Sequence, residues 1–247
     1  MLSKIQAFVK HFCQTFQTNR FYATFIKMIQ LKNISKKFIS GKSGVSALVD
    51  INLKIKEGEF IALMGPSGSG KSTLLNLIGG LDAPSEGSIL INDKDISEYK
   101  DKELSHYRNS VVGFVFQEFH LEPFLSVKQN ILLPTYFNHA SKREENYAEK
   151  LIREVKLANK TDTKVTELSG GQKQRTAIAR ALINHPQIIL ADEPTGNLDI
   201  ETGKKIIELL KRMHKIHKVT LIIATHDEAV AKAAEKTIKI QDGQLKP

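Results

Sequence analysis

The sequence predicts an α/β fold: a mainly parallel sheet flanked by helices, with an N-terminal antiparallel β region and an inserted α-helical subdomain. Three observations lead there. Short apolar runs of strand length (Phe60–Met64, Val111–Phe116, Ile188–Asp192, Val219–Ala224) alternate with longer amphipathic segments, the pattern of strands buried on both faces. Near the start, Ile51, Leu53 and Ile55 alternate with polar residues, the pattern of a half-buried antiparallel strand. Residues from about Leu121 to Glu167 look helical and locally distinct, which marks the insertion.

A length of 247 residues suits one such domain with a buried core. The longest apolar runs fall well short of the roughly 18–20 residues that cross a bilayer. Cys13 is the sole cysteine, so no internal disulfide forms. The net charge of +9 is dispersed rather than clustered with aromatics, and it reads as a lysine-rich solvated face. No nucleic-acid partner is expected.

Residues 1–27 form a distinct N-terminal extension, and Asp50 is the first acidic residue of the chain. Ile5, Phe8, Val9, Phe12 and Phe16 recur at helical spacing. Three readings stay open: an amphipathic helix lying in a membrane interface, an organelle-targeting peptide, or translation that begins at Met28. Met28–Leu31 then opens the first strand, and Phe38 is expected in a loop after it, where an aromatic face could stack on a base. Lys56-Glu57-Gly58 supplies a turn into the strand Phe60–Met64.

Gly65-Pro66-Ser67-Gly68-Ser69-Gly70-Lys71-Ser72 follows that strand and matches G-x-x-x-x-G-K-[ST], with a helix beginning around Thr73. Glycines let backbone N–H groups turn inward around phosphates, and the helix N-terminus adds free donors and positive potential. Lys71 is expected to reach the β- and γ-phosphates and Ser72 to ligate Mg²⁺. The chain is therefore expected to bind a nucleoside triphosphate.

Gly79-Gly80 stops that helix, a hairpin follows around Gly87–Asp93, and a polar helix covers Asp101–Asn109. Gln117 stands at the C-terminal end of the next strand, where side chains line ligand crevices. Within the helical insertion, Ser126–Leu133 is a helix stopped by Pro134, and Ser141–Val155 is a charged amphipathic one. Leu168-Ser169-Gly170-Gly171-Gln172 then places a second glycine turn before a helix. It reads either as a second anion-binding device or as a helix capped by Ser169. The strand Ile188–Asp192 ends in two carboxylates: Asp192, suited to hold Mg²⁺, and Glu193, which faces elsewhere and is free to deprotonate a water. A charged helix spans Ile200–Lys215. The strand Val219–Ala224 leads to Thr225-His226-Asp227, where His226 is weighed toward function, and a strand pair closes the chain around Asp242-Gly243.

From Ile29 to about Leu245 the chain resembles the nucleotide-binding subunits of ABC transporters. The LSGGQ at Leu168–Gln172 is the specific signal, supported by Gly65–Ser72, Gln117, Asp192-Glu193 and His226. The resemblance implies a cassette over 28–247 with a helical subdomain at about 121–180, acting as a head-to-tail dimer with a second copy of itself. Ser169, Gly170, Gly171 and Gln172 of one subunit would cap ATP held by the Gly65–Thr73 stretch of the other. It further implies Glu193 as base, His226 at the γ-phosphate, and Mg²⁺ held by Ser72, Gln117 and Asp192. Phe38 stands where the base-stacking residue is more usually Tyr. Asn197-Leu198-Asp199 looks like the loop that communicates between the two sites.

Gly113–Gln117, Asn130–Pro134, Ala191–Pro194 and Gly196–Asp199 look like the lipoprotein-release and macrolide-export type, while Glu122 and Val165 depart from its usual Leu and Pro. That type implies an integral membrane permease as partner and a peripheral place on the cytoplasmic face of the inner (plasma) membrane. A related permease complex that signals to cell-wall enzymes, an importer, or a soluble ATPase acting on DNA or the ribosome are the alternatives. The single cassette and the short interval between Gln117 and the signature argue against the last.

Overall fold

A computed structural model describes residues 28–40, 43–138 and 142–246. The readings of residues 1–27 lie outside the described residues. Two sheets lie in the fold. The first is four-stranded and antiparallel, in the order β2-β1-β4-β5. Strand β1 (Met28–Ser40) pairs with β2 (Ser43–Lys56) and on its other side with β4 (Glu86–Ile91), and β5 (Lys94–Asp95) completes the edge. Ile51, Leu53 and Ile55 are buried while Asn52, Lys54 and Lys56 between them are exposed, as the alternation requires.

Phe38 is not in a loop. It lies within β1 opposite Val45 of β2, because the two strands extend as a long hairpin arm. Its ring is about half exposed, with the Lys36 ammonium 4.9 Å from the centroid.

The second sheet has the order β10-β9-β3-β8-β7-β6. Strands β3 (Phe60–Met64), β6 (Val112–Val115), β7 (Ile188–Asp192), β8 (Thr220–Thr225) and β9 (Lys236–Gln241) run parallel, and β10 (Gln244–Lys246) closes antiparallel on β9. Successive residues of β7 and β8 enter different cores. Ile188, Leu190, Ile222 and Ala224 pack with the antiparallel sheet and with helix α1 (Lys71–Ile78), on one face. Ile189, Ala191, Leu221 and Ile223 pack on the other face against α5 (Gly170–Leu182) and α6 (Ile200–His217). This two-sided burial is why these strands read as unbroken apolar runs.

Helix α2 (Asp101–Ser110) precedes β6, and its Tyr107 hydroxyl donates to Ile78 O at the end of α1 (2.8 Å). Between β6 and β7 the chain builds α3 (Val127–Leu132) and α4 (Lys142–Glu154) before α5. Ser126 caps α3 through a reciprocal bond with Gln129. Pro134 ends the α-helix but not the helical path, which tightens into a 3₁₀ segment over Leu133–Asn138. Such a segment tolerates a proline within its first turn. A short α7 (Glu228–Ala233) leads into β9.

Ile222 is fully buried at the centre of this sheet. Ile222→Ala is expected to destabilise the fold by about 2–5 kcal/mol, measured by denaturant unfolding, through lost burial plus the cavity it leaves.

Candidate active site

Parallel register brings four strand ends to one edge of the sheet. Met64 pairs with Thr225, Asp192 with Ala224, and Val115 with Ala191. The chain therefore leaves β3 as the glycine loop, β6 at Gln117, β7 at Asp192-Glu193 and β8 at His226, all side by side. In an open α/β sheet this carboxyl edge is where ligands bind.

The loop Gly65–Ser72 is held from behind. Gly65 N donates to Thr225 O (3.4 Å), Ser69 N to Pro66 O (3.3 Å), and Gly243 N, from the β9–β10 turn, to Ser69 O (3.2 Å). Gly70 has a φ of +102°, and a Cβ there would lie 2.5 Å from Ala47 O of β2, so no other residue fits this turn. The hairpin arm that carries Phe38 thus packs directly against the loop. Ser67 and Gly68 are exposed along the rim of the loop.

Helix α1 starts on Gly70, which offers no side-chain cap, and its first turn contains no acidic residue. The N–H groups of Lys71, Ser72 and Thr73 precede the first helical bond, from Leu74 N to Gly70 O (2.9 Å). By contrast α3, α5, α6 and α7 all start on side-chain caps, from Ser126, Ser169, Asp199 and Asp227. An uncapped N-terminus behind a glycine cradle fits an anion.

Lys71 is buried. Its ammonium donates to Gly65 O (2.8 Å) and Pro66 O (2.9 Å) and lies 3.8 Å from Glu193 Oε1. The Ser72 hydroxyl donates to Asp192 Oδ1 (3.0 Å). Burial pushes the Asp192 carboxyl above its usual range; the Ser72 bond opposes this, Glu193 adds to it and Lys71 opposes it. Glu193 adopts a left-handed φ of +44°, uncommon for a residue with a Cβ, and is held by Glu193 N to Ala224 O (3.0 Å) and Gly196 N to Glu193 O (3.0 Å). That turn separates the two acids: Asp192 faces Ser72, while Glu193 Oε1 accepts from or pairs with His226 Nδ1 at 2.9 Å.

Gln117 meets Asn197 twice: Asn197 Nδ2 donates to Gln117 O (3.0 Å) and Gln117 Nε2 to Asn197 Oδ1 (3.4 Å). Gly196 lies against it, and a Cβ there would come within 2.7 Å of Gln117 Nε2 and displace that amide. Ser72, Asp192 and Gln117 supply one hydroxyl, one carboxylate and one amide. Among the described residues no cluster of three or more His, Cys, Asp or Glu forms an all-protein cage. That sparse oxygen set fits Mg²⁺, which completes its shell with waters and phosphate oxygens, better than a dedicated metal site.

At the second glycine turn the capping reading of Ser169 holds: Ser169 Oγ accepts from Gln172 N (3.4 Å) and Gln172 Oε1 from Ser169 N (2.9 Å). Gly170 packs on Leu198, and Gly171 on Thr202 at the start of α6. This turn is not brought onto the glycine loop of its own chain by any of these contacts. One residue escaped the sequence reading. Gln174 on α5 is fully buried and donates to Pro194 O (2.8 Å), just past Glu193. A lone polar residue in an amphipathic helix gives no signal of that kind.

Three kinds of similarity bear on this geometry. The family model described as ABC transporter matches residues 48–196. The macrolide export ATP-binding/permease protein MacB of Bdellovibrio bacteriovorus is 44% identical over 218 residues, 88% of this chain and 33% of that longer protein. The lipoprotein-releasing system ATP-binding protein LolD of Syntrophus aciditrophicus is 40% identical over 219 residues, 88% of this chain and 98% of LolD. The dimeric structure of a post-hydrolysis state of the cassette MJ0796, from Methanocaldococcus jannaschii, bound to ADP and Pi, superposes with a TM-score of 0.81. It is 44% identical and covers 89% of this chain and 97% of that one.

The raised pKa of Asp192 has a consequence for stability. The folded state holds this proton more tightly than the unfolded chain, so its contribution is favourable at low pH and is lost as pH rises from the ordinary carboxylate range through the folded value. Above the ordinary carboxylate range Asp192 is therefore a net burden on the fold. Asp192→Asn is expected to raise the thermal midpoint of the nucleotide-free, Mg²⁺-free protein at pH 7; a lowered midpoint would contradict this.

Proposed function

The chain belongs to the ABC transporter family, and from that premise we propose that it is the ATP-hydrolysing subunit which, as a dimer, powers a membrane permease in export or lipoprotein release. The observation that carries the reading is the meeting of Lys71, Ser72, Gln117, Asp192, Glu193 and His226 at one sheet edge, with an uncapped helix pointing into it. The likeness to LolD and MacB supports the choice of export or lipoprotein release. Among the described residues no helix is long and apolar enough to cross a membrane. In this reading the subunit works at the cytoplasmic face of the inner membrane, and the likeness to the LolD and MacB proteins supports it.

In this reading the N–H groups of the Gly65–Thr73 stretch bind the phosphates, and Lys71 exchanges its bonds to Gly65 O and Pro66 O for β- and γ-phosphate oxygens. Phe38 stacks on the base from the hairpin arm. Ser72, Asp192 and Gln117 would hold Mg²⁺, which when bound would neutralise charge on the phosphates. Glu193 accepts a proton from the water whose oxygen bonds to the γ-phosphorus, while the bond to the β-phosphate oxygen breaks and leaves ADP and phosphate. His226 orients Glu193 through Nδ1 and turns its other nitrogen toward the γ-phosphate.

Ser169, Gly170, Gly171 and Gln172 act in trans, capping the nucleotide of a second copy of the chain. The MJ0796 cassette bound to ADP and Pi is likewise dimeric, which supports a pair of chains. A head-to-tail pair gives the second glycine turn a phosphate to meet, which its own chain does not supply.

Glu193→Gln is expected to reduce ATP hydrolysis by about 10²–10⁴-fold while ATP binding persists and the protein accumulates as a dimer in ATP, read by light scattering. The same variant, used as bait in detergent-solubilised membranes, is expected to retain a permease with a large extracytoplasmic region. Recovery of ribosomes or DNA with soluble proteins alone would overturn the transporter reading. Unchanged hydrolysis would overturn the role of Glu193.

A further inference from the structure

Gln174 sits on the second turn of α5, the helix that begins at Ser169–Gln172. Its amide nitrogen donates to Pro194 O (2.8 Å) and reaches Phe116 O (3.4 Å). These carbonyls lie one residue after Glu193 and one residue before Gln117. They also lie just beyond the last ladder pair of β6 and β7, Val115 with Ala191, where no strand partner ties them. Two carbonyl acceptors fix the amide with its nitrogen toward the strand ends. The other end of the amide, Oε1, is buried without a hydrogen-bond partner. An unsatisfied buried oxygen costs stability, and an apolar side chain of the same length would fill the space without that cost. Packing alone therefore does not explain a glutamine here.

We propose that Gln174 is a positioning residue for hydrolysis: it clamps the ends of β6 and β7 so that Glu193 and Gln117 are presented at a fixed separation. Because it rides on the helix whose first turn meets the partner's nucleotide, it also links the seating of that turn to the geometry of its own chain's base. This rests on the ATPase reading above and adds a route between the two sites of the dimer. Gln174 touches neither phosphate nor water in this arrangement. It acts through the backbone on either side of Glu193 and Gln117.

The test is steady-state ATP hydrolysis by Gln174→Met and Gln174→Glu, each alone and Gln174→Met also combined with Glu193→Gln. Gln174→Met keeps the length and removes the donor; kcat is expected to fall about 10-fold or more, with KM for ATP unchanged, since small misplacements of a catalytic group cost this much. A buried carboxyl stays protonated and keeps one donor for Pro194 O, so Gln174→Glu is expected to recover most of the rate. With the base already lost in Glu193→Gln, adding Gln174→Met is expected to cost nothing further. Should Gln174→Met fail to fold, Gln174→Asn, a donor too short to reach, takes its place with the same expectations. An unchanged kcat, a Gln174→Glu variant as slow as Gln174→Met, or full additivity with Glu193→Gln would each overturn the proposal. A wild-type chain without ATPase activity would overturn the ATPase reading and this one with it, whereas an active wild type with indifferent variants overturns this one alone.

Discussion

A buried ammonium is the constraint on which the site depends. Lys71 is removed from water, and an isolated charge in that environment would be prohibitively costly. Its partners are Gly65 O and Pro66 O at the end of β3 and Glu193 at the end of β7. Those two strands are not neighbours; β8 lies between them. The two carbonyls belong to its own loop, so it is the contact with Glu193 that forms only if the parallel ladder keeps its register across all three. A slip of one residue would also exchange the faces of Ile222 and Ile223, so the same register is enforced by both hydrophobic cores. Packing and electrostatics specify one alignment, and the loop, the two acids and His226 follow from it.

The back of the loop is braced by segments far apart in the chain. Val49 N donates to Gly243 O (2.8 Å), Gly243 N to Ser69 O (3.2 Å), and Gly70 presses on Ala47. The antiparallel sheet and the C-terminal hairpin thus meet at the loop, and neither is ornamental to the nucleotide site. A loop held on this side can keep its inner N–H groups oriented before ligand arrives, which lowers the ordering cost of binding.

Much of this was legible in the sequence. The apolar runs located β3, β6, β7 and β8 because strands buried on both faces must be continuous in hydrophobicity, and the residues at their ends, Gln117, Asp192, Glu193 and His226, followed as site candidates. The glycine loop was legible because few residue types tolerate its backbone. What escaped had long-range causes. Phe38 read as a loop residue because its neighbours Lys36, Lys37 and Ser40 are polar, yet pairing with Val45 extends β1 beyond the core, and no local pattern encodes a strand that leaves its sheet face exposed. Pro134 marked the end of an α-helix but could not reveal the 3₁₀ continuation. The amide bridge between Gln117 and Asn197, and the clamp from Gln174, join positions distant in sequence through backbone carbonyls, which have no residue identity to read.

The two glycine turns differ in a way that bears on when hydrolysis can occur. Helix α1 has no side-chain cap, so its first N–H groups and the buried ammonium are available to phosphates within a single chain. Helix α5 already uses Gln172 N on Ser169 Oγ and holds Ser169 N with Gln172 Oε1. Part of its donor capacity is spent internally, and in the proposed dimer it meets a phosphate only when a second chain carries one to it. In the proposed dimer, nucleotide therefore binds first at the loop and only then recruits the second turn. Glu193, the proposed base, is tied through Pro194 to α5, so in that dimer it reaches its working geometry after that recruitment.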